Sequence, residues 1–178
     1  MRKHLLVLAL GAVAYVVAGF YNDLPPRSVW LEGCHSRIEV MPKAVRVQTE
    51  LTYVCTSWRW RRTQVYLPFA RSGAVSEVVA EVDPLSSYQV LPDGVVVNLV
   101  MSPNSKQIAK FGFVQGAEGS YEWRFGVSRG WPYPPNLRQF EVSAPSAFKL
   151  TFSAPVERRE GETYRLSADS EGGLKLQW

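Results

Sequence analysis

Hydrophobic and polar side chains alternate strictly over one long stretch in the first third of the chain. Between residues 45 and 53 an apolar or uncharged side chain stands at every second position, with a polar or charged one between. A period of two is typical of a β-strand with one face buried and the other in solvent. The buried face would carry Val45, Val47, Thr49, Leu51, Tyr53 and Cys55, and the solvent face Arg46, Gln48, Glu50 and Thr52.

Shorter segments with the same alternation continue to the C-terminus, separated by turn residues. Residues 87–91 and 95–101 flank Pro92-Asp93-Gly94, and proline and glycine supply the backbone angles of a tight turn, so this segment predicts a hairpin. The pattern predicts two further hairpins, one from residues 107–115 and 121–128 across 116–119, and one that pairs Tyr164 and Leu166 with Leu174, Leu176 and Trp178.

The predicted strands define the fold class. Their spacing of roughly 8–12 residues, with no helical period after residue 36, is typical of a sandwich or barrel. Mixed aromatic and aliphatic faces suit two packed sheets. We therefore expect an all-β fold, an antiparallel β-sandwich of about nine or ten short strands, preceded by one N-terminal hydrophobic helix.

The N-terminal helix is predicted from residues 5–21, a run without a charge, an amide or a proline, which follows Arg2 and Lys3. A basic segment before an apolar run is typical of an export signal. As a helix the run would be roughly 25 Å long, slightly less than the hydrocarbon core of a bilayer. The positive-inside rule then places the N-terminus in the cytoplasm and the remaining chain outside.

Two fates of this segment are open, and they set the predicted organisation. Ala12-Val13-Ala14 is a possible cleavage site, and cutting near Ala14 would release a secreted protein. The apolar run continues past that site, which favours a retained membrane anchor and an extracytoplasmic, membrane-anchored domain. We expect residues 1–21 to be the signal or anchor, residues 22–35 an extended linker, and residues 36–178 a single β-domain.

Composition and charge exclude two classes of protein. Hydrophobic residues make up 46% of the 178 residues, which argues against disorder. The formal charge is +4, and removing Arg2 and Lys3 leaves +4 − 2 = +2 for the exported part. That charge, without a basic run, does not indicate nucleic-acid binding.

Cys34 and Cys55 are the two cysteines of the chain. Outside the cytoplasm a disulfide between them is expected, although two buried thiols are the alternative. A hairpin turn at Pro42 would place Cys34 opposite residue 50 or so, too far along the strand from Cys55 for a bond. The disulfide therefore requires another route between the two residues.

The most unusual local sequence is Trp58-Arg59-Trp60-Arg61-Arg62. On a strand, Trp58, Trp60 and Arg62 would point to one side, and Arg59 and Arg61 to the other. Exposed indoles beside guanidinium groups could stack on a sugar, hold an anionic polymer or lie at lipid headgroups. The alternative is that both indoles enter the core and the arginines are solvated. A segment of five residues is too short for its hydrophobic pattern to distinguish exposed indoles from buried ones.

A second candidate for binding is the loop at residues 130–136, which carries Trp131 and Tyr133 among three prolines. Proline stiffens such a loop and lowers the entropy cost of ordering it against a partner. The alternative is that the loop folds back and caps the edge of the domain.

Motifs for catalysis do not occur in the sequence. It contains no G-x-S-x-G and no H-E-x-x-H, and His35 is its one histidine beyond the N-terminal segment. Glu77, Glu81 and Asp83 alternate with apolar residues, as on the solvent face of a strand. We therefore expect no enzymatic activity, no metal and no cofactor.

These observations favour an exported, membrane-tethered β-sandwich that acts as a binding or structural component of the cell envelope or an envelope complex. Its partners would be the membrane, through residues 5–21, and a protein or envelope polymer. One alternative is a homo-oligomeric extracellular filament in which residues 28–40 complete the sheet of a neighbouring copy. Another is a glycan-active enzyme with two facing carboxylates.

Overall fold

The computed structural model describes residues 28–71, 73–124, 137–167 and 173–178. These ranges form an all-β fold, as the alternation predicted, and they contain no helix. The predicted N-terminal helix at residues 5–21 lies outside them, as do Trp131 and Tyr133. Within the described ranges no helix has the length and apolar character needed to cross a membrane.

Thirteen strands are present in the described part of the chain, more than the nine or ten predicted. They are β1 (Val29–Val40), β2 (Ala44–Cys55), β3 (Arg61–Pro68), β4 (Val75–Glu81), β5 (Ser87–Leu91), β6 (Gly94–Met101), β7 (Ser105–Gly116), β8 (Ser120–Trp123), β9 (Leu137–Ser143), β10 (Thr151–Phe152), β11 (Val156–Glu160), β12 (Thr163–Ser167) and β13 (Leu174–Gln177).

The strands form one seven-stranded sheet, in the order β11-β12-β9-β1-β2-β7-β4, and two three-stranded sheets, β10-β13-β8 and β3-β6-β5. The prediction of a purely antiparallel fold is wrong at one pair, because β1 and β9 run parallel. A parallel pair needs a long crossover, and here the intervening chain builds the sheet β3-β6-β5 and contributes β2, β4 and β7 to the large sheet and β8 to the other small one. The large sheet is therefore mixed.

One face of the seven-stranded sheet forms the core with the inner faces of the two smaller sheets. Phe113 of β7 lies 4.9 Å from Phe69, which follows β3, between ring centres. Trp123 of β8 lies 4.9 Å from Phe140 of β9 in an edge-to-face arrangement. The alternation predicted for β2 is confirmed, since its six core positions are buried while Arg46, Gln48 and Glu50 are exposed.

Two of the three predicted hairpins are wrong, because the strands belong to different sheets. The hairpin of β5 and β6 is confirmed. The chain leaves β7 where Ala117 N–H donates to Lys43 O at 3.1 Å, and then crosses to the smaller sheet. Strand β8 pairs with β13 there, while β7 pairs with β2 and β4. Strand β12 pairs with β9 and β11, not with β13.

The predicted linker at residues 22–35 overlaps the domain. Residues 29–35 are the first part of β1, and Val29 and Leu31 are buried. A bulge between Leu31 and Gly33 shifts the register there, which interrupts the period of two that marks a strand in the sequence. The β-domain therefore includes residues before Ser36.

The predicted disulfide is wrong, because both cysteines are free and buried. Cys34 of β1 lies opposite Leu51 of β2, whereas Cys55 lies opposite Val29. Four residues along a strand correspond to about 13 Å, and a disulfide needs Cα atoms within about 7 Å. The structure therefore has nearly the register that a turn at Pro42 predicted, and in this register Cys34 and Cys55 are too far apart for a disulfide.

Candidate binding surface at the β2–β3 loop

Residues 56–60 connect the large sheet to a smaller one, and their backbone is fixed at both ends. Thr56 N–H donates to Ser28 O at 2.9 Å, which ties the loop to the first described residue. Asn104 N–H donates to Ser57 O at 3.0 Å, which ties it to the turn between β6 and β7. The loop is therefore held between two other segments of the chain.

Ser57 organises the loop from inside. Its side chain is buried, and its Oγ accepts hydrogen bonds from Arg59 N–H at 3.1 Å and from Arg61 Nε at 2.9 Å. A buried hydroxyl that satisfies a backbone and a guanidinium donor fixes the turn at little cost. This residue was not singled out in the sequence, where a serine beside two tryptophans gives no signal.

The side chains beside Ser57 point into solvent. The exposed fraction is 72% for Trp58 and 57% for Trp60, the first and third positions of the motif. The guanidinium of Arg59 lies 4.0 Å from the ring centre of Trp58, and Arg62 is exposed on β3. Burial of both indoles, the alternative that the sequence left open, is therefore excluded. We call Trp58, Arg59, Trp60 and Arg62 the tip.

Acidic residues are scarce around the tip. No Asp or Glu occurs in residues 51–76 or in residues 94–117, the segments that contribute the tip loop, β3, β6 and β7. Glu32 of β1 is ion-paired with Lys106 of β7. These segments therefore contain no carboxylate that could neutralise the cations of the tip, which favours an anionic partner.

A groove on the outer face of the large sheet has a different character. Gly112 of β7 forms its floor, and neighbouring side chains of β2, β4 and β7 enclose a volume of about 410 Å³. Glu50, Glu77 and Glu81 line it together with cations, and Glu81 lies 3.8 Å from Lys110. These carboxylates lie on the solvent side of the sheet, as predicted for Glu77 and Glu81.

A row of polar groups lies inside the core, on β1 and β2. Ser36 Oγ lies 2.8 Å from Thr49 Oγ1 and 3.7 Å from Cys34 Sγ. Burial raises the pKa of the Cys34 thiol to about 12, although the hydrogen bond with Ser36 and the charge of Arg138 oppose the shift. The thiol is therefore neutral at ordinary pH and unsuited to nucleophilic chemistry.

Strand β5 is an exposed surface that the sequence analysis did not consider. It is an edge of its sheet, and Tyr88 and Val90 expose 42% and 44% of their surface. Its residues carry no charge and no proline, the features that usually protect an edge strand. A run of uncharged residues at 87–91 was the signal available in the sequence.

The remaining predicted sites have these outcomes. Trp131 and Tyr133 lie in residues 125–136, outside the described ranges, so their binding role stays a prediction. Within those ranges no three His, Cys, Asp or Glu side chains are grouped to hold a metal ion.

Comparison with known proteins gives a likeness of fold. No protein-family model and no curated protein matches the sequence. A solved structure of an M1 zinc metallopeptidase from Deinococcus radiodurans is 13% identical, with a TM-score of 0.51 over 86% of this chain and 43% of that one. A putative nutrient binding protein from Legionella pneumophila is 11% identical, with a TM-score of 0.57 over 87% of this chain and 68% of that one. Native yeast LTA4 hydrolase is 11% identical, with a TM-score of 0.50 over 86% and 30%.

The chain thus spans less than half the length of the metallopeptidase chain that it is similar to. Identities of this size carry no residue correspondence, so the likeness concerns the arrangement of strands. The comparisons establish that this arrangement of β-strands occurs in solved structures as part of larger proteins.

Proposed function

We propose that this chain is an exported β-domain, tethered to the membrane by residues 5–21, that acts by binding within the cell envelope or an envelope complex. Its contact surface is the tip. The observation that carries the proposal is the exposure of Trp58 and Trp60 on a loop that Ser57 holds in one conformation. Exposed indoles on a fixed loop lose little conformational entropy when a partner covers them.

The energetics of exposure support a binding role for the tip. Burying a large aromatic side chain contributes roughly 1.5–3 kcal/mol to stability, and neither indole makes that contribution within the domain. Tryptophan and arginine are also the residues that most often dominate the free energy of binding at interfaces. The cations of the tip and the absence of acids in residues 51–76 and 94–117 support an anionic partner.

A binding role is also proposed in preference to catalysis. Every Asp and Glu in the described ranges is exposed or half-buried, and of the three glutamates that line the groove on the large sheet, Glu81 is ion-paired with Lys110. The similar structures include a peptidase and a hydrolase, but this chain matches 43% and 30% of their lengths. The likeness therefore supports a shared scaffold, and the proposal assigns this chain no reaction.

The position of β1 weakens the filament alternative. The proposed donor segment, residues 28–40, lies between β9 and β2 in the large sheet and pairs with both. Donating it to another copy would break two strand pairings inside the domain. We therefore do not retain strand exchange through this segment.

The tether is tested by the intact mass of the protein from membrane and secreted fractions, combined with carbonate extraction. We expect the full-length mass in the membrane fraction and resistance to carbonate. Loss of about the first 14 residues, with the protein in the secreted fraction, would show cleavage instead.

The binding role is tested by chemical cross-linking in intact cells. The full-length protein is compared with Trp58→Ala/Trp60→Ala, and with Ile108→Ala as a matched control. Ile108 is 52% exposed on β7, so its truncation removes exposed apolar surface elsewhere. We expect cross-linked species that disappear in the tryptophan variant and persist in the control. Equal cross-linking of all three proteins would refute the tip as the contact surface.

A further inference from the structure

We infer that the tip docks on the phospholipid surface of the membrane that holds the chain's own N-terminus. Trp58 and Trp60 would lie at the level of the headgroups, and Arg59 and Arg62 would contact lipid phosphates. The inference rests on the proposed tether. It names the partner of the tip, which the proposed function leaves open.

The first step is the place where the chain enters the domain. Ser28, the first described residue, accepts a hydrogen bond from Thr56 N–H at 2.9 Å. Thr56 lies two residues before Trp58. The chain therefore emerges toward its N-terminus directly beside the tip, and a tether at this point holds the tip near whatever the tether is attached to.

The second step is the length of the connection. Six residues, 22–27, separate Ser28 from the end of the apolar run. At full extension they span about 20 Å, and prolines 25 and 26 restrict them further. The tip is thus confined to a thin layer above the bilayer, which raises its effective concentration at the surface.

The third step is the contrast with the opposite end of the domain. Strand β1 has 12 residues, so its two ends are about 36 Å apart. At the opposite end lie Lys43, whose backbone oxygen accepts from Ala117 N–H, and Trp178, whose backbone N–H donates to Gly119 O. That end lies farther from Ser28 than the connection is long, so a domain tethered at Ser28 cannot stand on it.

The fourth step is the chemistry of the surface. Tryptophan is enriched at the interface between lipid and water, because its ring is apolar and its N–H is polar. Arginine donates paired hydrogen bonds to phosphate. The tip offers two exposed indoles and the guanidinium group of Arg59 on the fixed loop, and that of Arg62 at the start of β3, without acids in residues 51–76. A phosphate surface above an apolar layer complements both features.

The experiment uses the full-length protein reconstituted in vesicles of phosphatidylcholine and phosphatidylglycerol, with bromine on the acyl chains. Bromine quenches indole fluorescence over short distances. We expect strong quenching in the wild type, and loss of that component in Trp58→Phe/Trp60→Phe. Trp178→Phe removes an indole at the opposite end and is expected to leave the quenched component unchanged.

A charge variant tests the same contact without changing an indole. At about 1 kcal/mol for each cation near an anionic surface, Arg59→Gln/Arg62→Gln is expected to lower the ratio of docked to undocked domains roughly 25-fold. The matched control is Lys43→Gln/Arg159→Gln, which removes two cations from the opposite end. High salt is expected to weaken the wild-type quenching, since exposed charges are screened.

The two failures are distinguishable by carbonate extraction of the same vesicles. A chain that resists extraction but shows equal quenching in wild type and Trp58→Phe/Trp60→Phe would overturn the docking and leave the tether intact. A chain that carbonate removes would overturn the tether, and with it docking on the membrane of the chain's own anchor.

Discussion

Two pairs of aromatic residues have the same spacing in the sequence and opposite positions in the structure. Tyr121 and Trp123 are two residues apart on β8, and both are buried, with Trp123 fully inaccessible. Trp58 and Trp60 are also two residues apart, and they expose 72% and 57% of their surface. A period of two predicts a shared face, but it does not say whether that face is inside.

The neighbours of each pair explain the difference. Strand β8 pairs with β13, whose Leu174 and Leu176 lie on the core side with it. Residues 56–60 form no strand, and Ser57, which directly precedes Trp58, is the buried residue of this segment. The tip loop therefore buries a hydroxyl and exposes two indoles, an arrangement that fixes the loop without using its aromatic surface.

The largest expected effect is at the buried member of the comparison. Trp123→Ala removes a ring that packs on Phe140 at 4.9 Å and leaves a cavity, so the free energy of unfolding should fall by about 3–5 kcal/mol. Chemical denaturation measures this loss. A loss below about 1 kcal/mol would mean that this indole does not pack as described.

The next effect concerns the polar core and alkaline pH. Burial raises the pKa of the Cys34 thiol from an ordinary value of 9.0 to about 12. Below pH 9 the thiol is protonated in both states and has no effect. Above it the unfolded chain loses the proton first, so stability falls by up to about 1.4 kcal/mol per pH unit until the folded thiol titrates.

Cys34→Ala tests this source of alkaline instability. Burial also raises the pKa of the Tyr53 and Tyr121 phenols, so some loss of stability at high pH will remain in the variant. Denaturant midpoints measured from pH 7 to 11, each normalised to its value at pH 7, should fall less steeply in Cys34→Ala. Parallel curves for the two proteins would contradict a buried, neutral thiol.

A smaller effect is expected from the residue that holds the tip. Ser57→Ala removes the acceptor of Arg59 N–H and one of the contacts of Arg61, at a cost of about 1–2 kcal/mol in partly buried surroundings. Thermal denaturation measures it. Ser87→Ala is the control, since Ser87 is exposed and its contact with Asn98 is long at 3.4 Å, and its effect should stay within about 0.5 kcal/mol.

The smallest effect is expected at the exposed member of the comparison. Trp60→Ala should change the free energy of unfolding by no more than about 0.5 kcal/mol, because the indole is largely in water already. The same denaturation experiment as for Trp123→Ala measures it. A loss of 3 kcal/mol or more would show that this indole packs in the core, and it would contradict the tip as an exposed binding surface.

Local pattern predicted those parts of the fold that local interactions determine. The strand β2 and the hairpin of β5 and β6 follow from alternation and from the turn at Pro92-Asp93-Gly94. The two wrong hairpins have the same local signals, but their strands find better partners far along the chain. Which sheet a strand joins depends on such distant pairings, and the local pattern of hydrophobic and polar residues does not reveal them.

The sequence predicted which residues form the candidate site, but it did not predict how they are arranged. The motif at residues 58–62 stood out as a cluster of aromatic and cationic residues, yet its exposure depends on Ser57, Ser28 and Asn104, which have no distinctive sequence context. The cysteines show the same limit. Their separation follows from the register of β1 and β2, which the turn near Pro42 sets.

The parallel pairing of β1 with β9 determines the order in which this domain can form. Arg37 and Glu141, which face each other across that pairing, are 104 positions apart in the chain. Such contacts form slowly, because the entropy of closing a long loop is lost before the pairing stabilises it. During synthesis β1 therefore remains without one of its two neighbours until most of the chain has followed. A nascent chain of this protein presents one open edge of β1 for that time, and it is at this stage that we expect it to depend on chaperones.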